Sequence, residues 1–137
     1  MAAEEHGKET VYQVKVTLKD VRPPVWRRFL VRIVSLHELH LVLQTVMGWE
    51  NSHLYQSTIG DDEYRKPSPD LDATNATTVG LGQVYRGAGT RFTYVYDFGD
   101  NWEHEVRIEK TLAAEPGKQY PVCVAVAGLP SGGLWRW

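Results

Sequence analysis

The sequence predicts an α+β domain, a mainly antiparallel sheet of five to six strands packed against one main helix. Three features carry this expectation. Residues 11–19 and 91–111 alternate apolar and polar side chains with the period of two that marks a half-buried strand. Residues 35–47 show the helical period instead. Strand-like stretches follow one another directly, without the intervening helices that a parallel α/β sheet needs for its crossovers.

In the first strand, Tyr12, Val14, Val16 and Leu18 fall on one face and Gln13, Lys15, Thr17 and Lys19 on the other. Asp20-Val-Arg-Pro-Pro24 ends it, because neither proline can donate to a ladder. Residues 25–32 resume as a second strand, and the short connection favours an antiparallel neighbour. The helix begins at Ser35, whose hydroxyl can cap it, with Glu38 three residues later in the arrangement of a capping box. Leu36, Leu39, Val42, Leu43, Val46 and Met47 then fall within an arc of about 140° on a helical wheel, and Gly48 supplies the stop. Residues 53–59 form a third strand, and residues 66–78, rich in Pro, Asp, Asn and Thr, the longest loop. Residues 81–85 have room for one helical turn.

Residues 91–111 read as a hairpin. Phe92, Tyr94 and Tyr96 alternate on one arm, and Trp102, His104, Val106 and Ile108 on the other. A three-residue loop at 99–101 pairs Phe98 with Trp102, Tyr96 with His104, Tyr94 with Val106 and Phe92 with Ile108, so that all apolar positions share one face. Asn101 suits the left-handed residue that such a loop requires. A short strand runs through Val126. The expected organisation is a lead-in at 1–10, a single domain at 11–126 and an irregular tail at 127–137 that carries Trp135 and Trp137.

Composition bounds the function. The 137 residues are 42% hydrophobic and 23% charged, as in an ordinary globular domain. No apolar run reaches the roughly 18 residues of a membrane span, and the polar, acidic N-terminus does not read as a secretory signal. The expectation is a cytoplasmic protein without a membrane partner, in which the Asn75-Ala76-Thr77 sequon is silent. The one cysteine, Cys123, excludes an intrachain disulfide and a multi-cysteine zinc site, and reads as a small buried hydrophobe. Fifteen basic against seventeen acidic residues give a net charge of −2, which offers no global field for nucleic acid.

Three segments are familiar together: Pro24-Val-Trp-Arg-Arg28, Leu36-His-Glu-Leu-His40 running on to Met47-Gly-Trp-Glu-Asn-Ser-His-Leu54, and Tyr94-Val-Tyr-Asp-Phe-Gly-Asp-Asn-Trp-Glu-His104. In this order the chain resembles the plasmid pRiA4b ORF-3-like family, which includes proteins described as resolvase-like passengers of insertion elements. The resemblance implies an α+β fold with antiparallel strands packed on helices, and it transfers no catalytic residue. Family members usually continue past the segment around Cys123 with a Pro-Pro-Glu-Asp-Cys-like motif and a further helical stretch. Here Val124-Ala-Val-Ala-Gly-Leu-Pro130 follows instead, so the resemblance implies a divergent or truncated C-terminus.

Several residues could carry chemistry. In the register above Asp97 faces Glu103, with Asp100 at the hairpin tip, and oxygen donors around a glycine turn could hold a divalent cation. A solvated acidic turn answered by nearby arginines is the plainer alternative. His104 falls on the apolar face, where a buried imidazole bonded to a tyrosine hydroxyl competes with a ligand role. On the helix His40 borders the apolar stripe, with His37 on its polar flank. Convergence of His40, His53 and His104 would create a zinc site. The basic cluster Arg22, Trp26, Arg27, Arg28 and Arg32 could meet phosphate or a stacked base. Arginine packed over an aromatic ring is its alternative.

No Ser-His-Asp arrangement, P-loop, dinucleotide fingerprint or zinc signature appears. The resulting expectation is a non-catalytic binding or interaction module with a protein partner or self-association and no resident cofactor. A metal-dependent hydrolase or nucleic-acid-processing accessory built on the hairpin and histidines, and a DNA-binding protein acting through the arginines, are the alternatives.

Overall fold

The computed structural model describes residues 10–32, 35–49, 55–60, 62–65, 74–75, 79–97 and 101–128. Among the described residues, eight strands and two helices follow one another as β1 (Thr10–Leu18), β2 (Val25–Arg32), α1 (Leu36–Met47), β3 (Tyr55–Ile59), β4 (Asp62–Arg65), β5 (Thr74–Asn75), α2 (Leu81–Val84), β6 (Thr90–Tyr96), β7 (Trp102–Ala113) and β8 (Val122–Ala127). The strands form one sheet in the order β5-β4-β3-β6-β7-β1-β2-β8, antiparallel except for the β4–β5 pair. Six of these strands follow from the sequence pattern. The additional two, β4 and β5, are short and polar, and lie at one edge where no apolar alternation is required.

The alternation of β1 works as expected. Tyr12, Val14, Val16 and Leu18 are buried, and opposite them on β2 stand Val31, Phe29, Arg27 and Val25. One face of the sheet therefore carries the core, and α1 packs into it. The helix starts with a reciprocal capping box: Ser35 Oγ accepts from the Glu38 amide at 3.0 Å, and Glu38 Oε1 accepts from the Ser35 amide at 2.9 Å. It ends with Gly48 at φ 80°, whose amide donates to Thr45 O while the Trp49 amide donates to Gln44 O. This double closure fixes where Trp49 enters the core. The buried stripe is Leu36, Leu39, His40, Leu43, Gln44, Val46 and Met47, so two polar residues stand inside it and Val42 is only partly buried.

The hairpin register differs from the sequence expectation. Tyr96 pairs with Trp102, Tyr94 with His104, Phe92 with Val106 and Thr90 with Ile108. Pairing ends at Tyr96 and Trp102; beyond it Asp97 stands at φ 65° and Asn101 at φ 59°, and the Asn101 amide donates to Asp97 O. The slip is two residues, and a slip of two returns every side chain to the same face. Alternation alone could not distinguish the registers. Asp97 consequently leaves the ladder, and Glu103 stands opposite Val95, not Asp97.

Candidate functional site

Side by side on the inner face, Ser57 of β3, Tyr94 of β6, His104 of β7, Leu18 of β1 and Val25 of β2 form one cross-strand row. The next row holds Tyr55, Tyr96 and Trp102. Helix α1 lowers His37, His40 and Gln44 onto these rows, and its terminal turn adds Trp49. The result is a continuous cluster of imidazole, phenol and indole rings.

Tyr94 is its hub. Its hydroxyl accepts from Gln44 Nε2 at 2.8 Å and shares a hydrogen bond of 2.6 Å with His40 Nδ1. Its carbonyl oxygen lies 3.1 Å from His104 Nδ1. A carbonyl can only accept, so His104 carries its proton on Nδ1. Its Nε2 is then free to accept from the Trp49 indole, which can only donate, at 3.3 Å. Both ring nitrogens of this fully buried histidine are thereby engaged. Burial pushes its pKa down to about 4, with the backbone hydrogen bond to Tyr94 opposing the fall. Burial likewise pushes the Tyr55 hydroxyl up to about 12 and raises that of Tyr94 further. Tyr55 OH lies 2.7 Å from His37 Nδ1, and its ring stacks on His40 with centroids 3.7 Å apart. Trp49 stacks on Trp102 at 5.6 Å.

The sequence placed His104 against a tyrosine hydroxyl; its partner is instead a tyrosine carbonyl, and the hydroxyl belongs to His40. His40 and His104 do come together, but around Tyr94 and not around a shared open position. His53 and Asp100 lie outside the described residues. Glu103 stands on the opposite face of the sheet from His104, 3.9 Å from Lys19 Nζ. Among the described residues, no group of three or more His, Cys, Asp or Glu side chains gathers to hold a metal ion.

The basic residues also separate. Arg27 is fully buried, and burial lowers its pKa. Its Nε donates to Val46 O at 3.2 Å, and its Nη1 donates to Trp26 O and Ala127 O at 2.8 and 2.9 Å. It thus ties the last turn of α1, where carbonyl dipoles favour a cation, to the end of β8. The side chain is thus enclosed, where the sequence reading considers it as a surface contact. Arg28 points to the other face, where it grips Glu109 through two bonds of 2.8 and 3.0 Å. That grip holds the Glu109 carboxyl below its usual range. Trp26 lies beside Arg28, under Lys15 at 4.6 Å and Arg28 at 5.1 Å. Arg32 stacks over Tyr120 at 5.4 Å, and Arg22 is exposed in the β1–β2 turn. Adjacent strand residues point oppositely, so no single patch unites the five.

A different surface emerges at the β8 edge. Leu41, Val42, Thr45 and Val46 of α1 face Pro121, Val122 and Cys123 across a cleft of about 310 Å³. Among the described residues, Leu41, Val124 and Val126 are the exposed large hydrophobic ones, at 41%, 47% and 49%. Cys123 is accordingly only partly buried, at the cleft wall, and not the core residue expected. The available signals were the uncharged run of β8 and the inclusion of Val42 in the helix stripe. Arg27 also had a signal: it shares parity with Val25, Phe29 and Val31, the apolar face of β2.

The chain belongs to the plasmid pRiA4b ORF-3-like protein family, which it matches over residues 10–131. It is 39% identical over 136 residues to the uncharacterized protein y4hQ of Sinorhizobium fredii, covering 93% of this chain and 70% of that protein. Its fold is similar to the crystal structure of MM3350, a protein of unknown function from Methanosarcina mazei. That match has a TM-score of 0.80 and 30% identity, and covers 91% of this chain and 74% of the other.

Proposed function

We propose that this domain is a non-catalytic interaction module that receives an apolar segment of a protein partner in the cleft between α1 and β8. The observation that carries the reading is the uncharged lining of that cleft, with Leu41 exposed in one wall and Val124 and Val126 exposed further along the strand that supplies the other. The edge position of β8 adds an accessible backbone to the same surface. Two of the imidazoles that a hydrolase would use, those of His40 and His104, are engaged in the core around Tyr94, and Arg27 and Arg28 point to different faces.

Selection of displayed random peptides against the intact chain tests this. Apolar peptides should be recovered whose binding is lost in Leu41→Gln and kept in Lys15→Gln, a change on the opposite face. Peptides that bind Leu41→Gln as well as the parent would contradict the reading.

A further inference from the structure

We infer that the sheet face opposite α1 holds a binding site for a phosphate monoester, in a cleft where Arg91 and Lys19 meet Thr58 and Thr93. The site lies across the sheet from the α1–β8 cleft and is independent of the reading given to that cleft.

The register of the sheet supplies the first argument. On this face Arg91 of β6 stands opposite Arg107 of β7, Arg107 opposite Lys15 of β1, and Lys15 opposite Arg28 of β2. Like charges directly opposite one another destabilise a sheet. The hairpin register expected from the sequence, two residues along, sets Arg91 opposite Glu109 instead. The cations of the row are also answered unequally. Arg28 is clamped by Glu109. Arg91 has Glu105 at 3.7 Å, beyond hydrogen-bond range. Arg107 is exposed and forms no ion pair among the described residues. Uncompensated positive charge therefore collects at the Arg91 end of the row.

A cleft opens at that end. It measures about 310 Å³, and its lining includes Lys19, Thr58, Gly60, Arg91, Thr93 and Glu105. Thr58 and Thr93 are cross-strand partners, so two hydroxyls stand side by side. A Cβ on Gly60 would meet no atom within 4 Å, which leaves the cleft open there. Lys19 enters from the end of β1: its Nζ donates to Thr93 Oγ1 at 3.3 Å and lies 3.9 Å from Glu103. An ammonium has three donors and a guanidinium five, so most of the donors of Lys19 and Arg91 are uncommitted. A carboxylate presents two acceptor oxygens, whereas a phosphate monoester presents three and carries a charge of about −1.5 to −2. Two cations and two hydroxyls converging from separate strands suit the second anion better. Glu105 and Glu103 keep the surplus charge small, which favours one compact anion over a long polyanion.

Titration of the intact chain with methyl phosphate at constant ionic strength, followed by nitrogen-15 NMR, tests the site. The Arg91 side-chain and Thr93 amide signals should shift saturably. Arg91→Gln and Lys19→Gln, each checked for folding by circular dichroism, should weaken the fitted affinity about tenfold or more. Arg28→Gln should change it less than about twofold, since Arg28 lies three strands or roughly 14 Å away, beyond the Debye length of about 8 Å. Leu41→Gln, on the other side of the sheet, should leave it unchanged. Shifts that never saturate, or an affinity that survives Arg91→Gln, would overturn the inference. So would acetate moving the same signals with equal affinity, because the site would then take carboxylates. Tighter binding of a single-stranded oligonucleotide that depends on Arg107 and Lys15 more than on Arg91 would also overturn it, in favour of a polyanion surface.

Discussion

Two regions flank α1, and they use their residues in opposite ways. On the β3–β6–β7 side, the helix covers histidines, tyrosines and tryptophans whose polar atoms bond to one another across Tyr94. On the β8 side, it meets a proline, a valine and a cysteine and leaves a cleft. The first region holds the residue types associated with chemistry and commits them to the fold. The second holds bland residues and keeps them accessible. Side-chain type is a weaker guide to function here than whether a side chain's partners are already inside the molecule.

The sharpest way to break this contrast is at Arg27, the buried cation that joins α1 to β8. Arg27→Ala should cost about 3 kcal/mol or more in denaturant unfolding, since it empties a core position and strands the carbonyls of Val46 and Ala127. A cost near that of an ordinary surface change would mean that Arg27 is a surface residue after all. Next in size is Tyr94→Phe. It keeps the ring and removes the hydroxyl, leaving His40 and Gln44 to find other partners in a dry site, and should cost roughly 2 kcal/mol in the same experiment. No loss would mean that water enters the cluster. Smallest is Glu109→Gln on the open face, which weakens the Arg28 pair. With both groups partly exposed, the expected cost is about 0.5–1 kcal/mol and falls with added salt. A larger, salt-independent loss would show that the outer face contributes as much stability as the inner one.

Much of the frame was legible in the sequence. The capping box from Ser35 to Glu38, the stop at Gly48 and the alternation of β1 each follow from local chemistry, and local chemistry decides them. The hairpin register was not legible, because the pattern repeats every two residues while the choice between registers depends on Asp97 turning left-handed at the loop entry. Strands β4 and β5 gave no signal, since Asp62-Glu-Tyr-Arg65 at an edge need not alternate. For the candidate site, His104 was legible as buried from its parity. Its partners were not, because Trp49 and Tyr94 lie 55 and 10 residues away and meet it only through the helix terminus and the corrected register. The burial of Arg27 was signalled by its parity and not by its residue type, and the cleft was missed because it arises between elements far apart in the chain.

The central claim is that the histidines of the cluster are spent on structure, and a nitrogen-15 NMR titration of the His104 imidazole tests it directly. The account predicts a neutral ring protonated on Nδ1 from pH 8 to about pH 5, protonation only near pH 4, and no change when zinc is added. Because this pKa lies below the unfolded value near 6.5, the unfolded chain takes up the proton first as pH falls. Stability should be complete above about pH 6.5 and decline toward pH 4, by about 3 kcal/mol in all. Protonation near 6.5, a proton on Nε2, or a zinc-dependent shift of the ring nitrogens would contradict the account and return His104 to the list of candidate ligands.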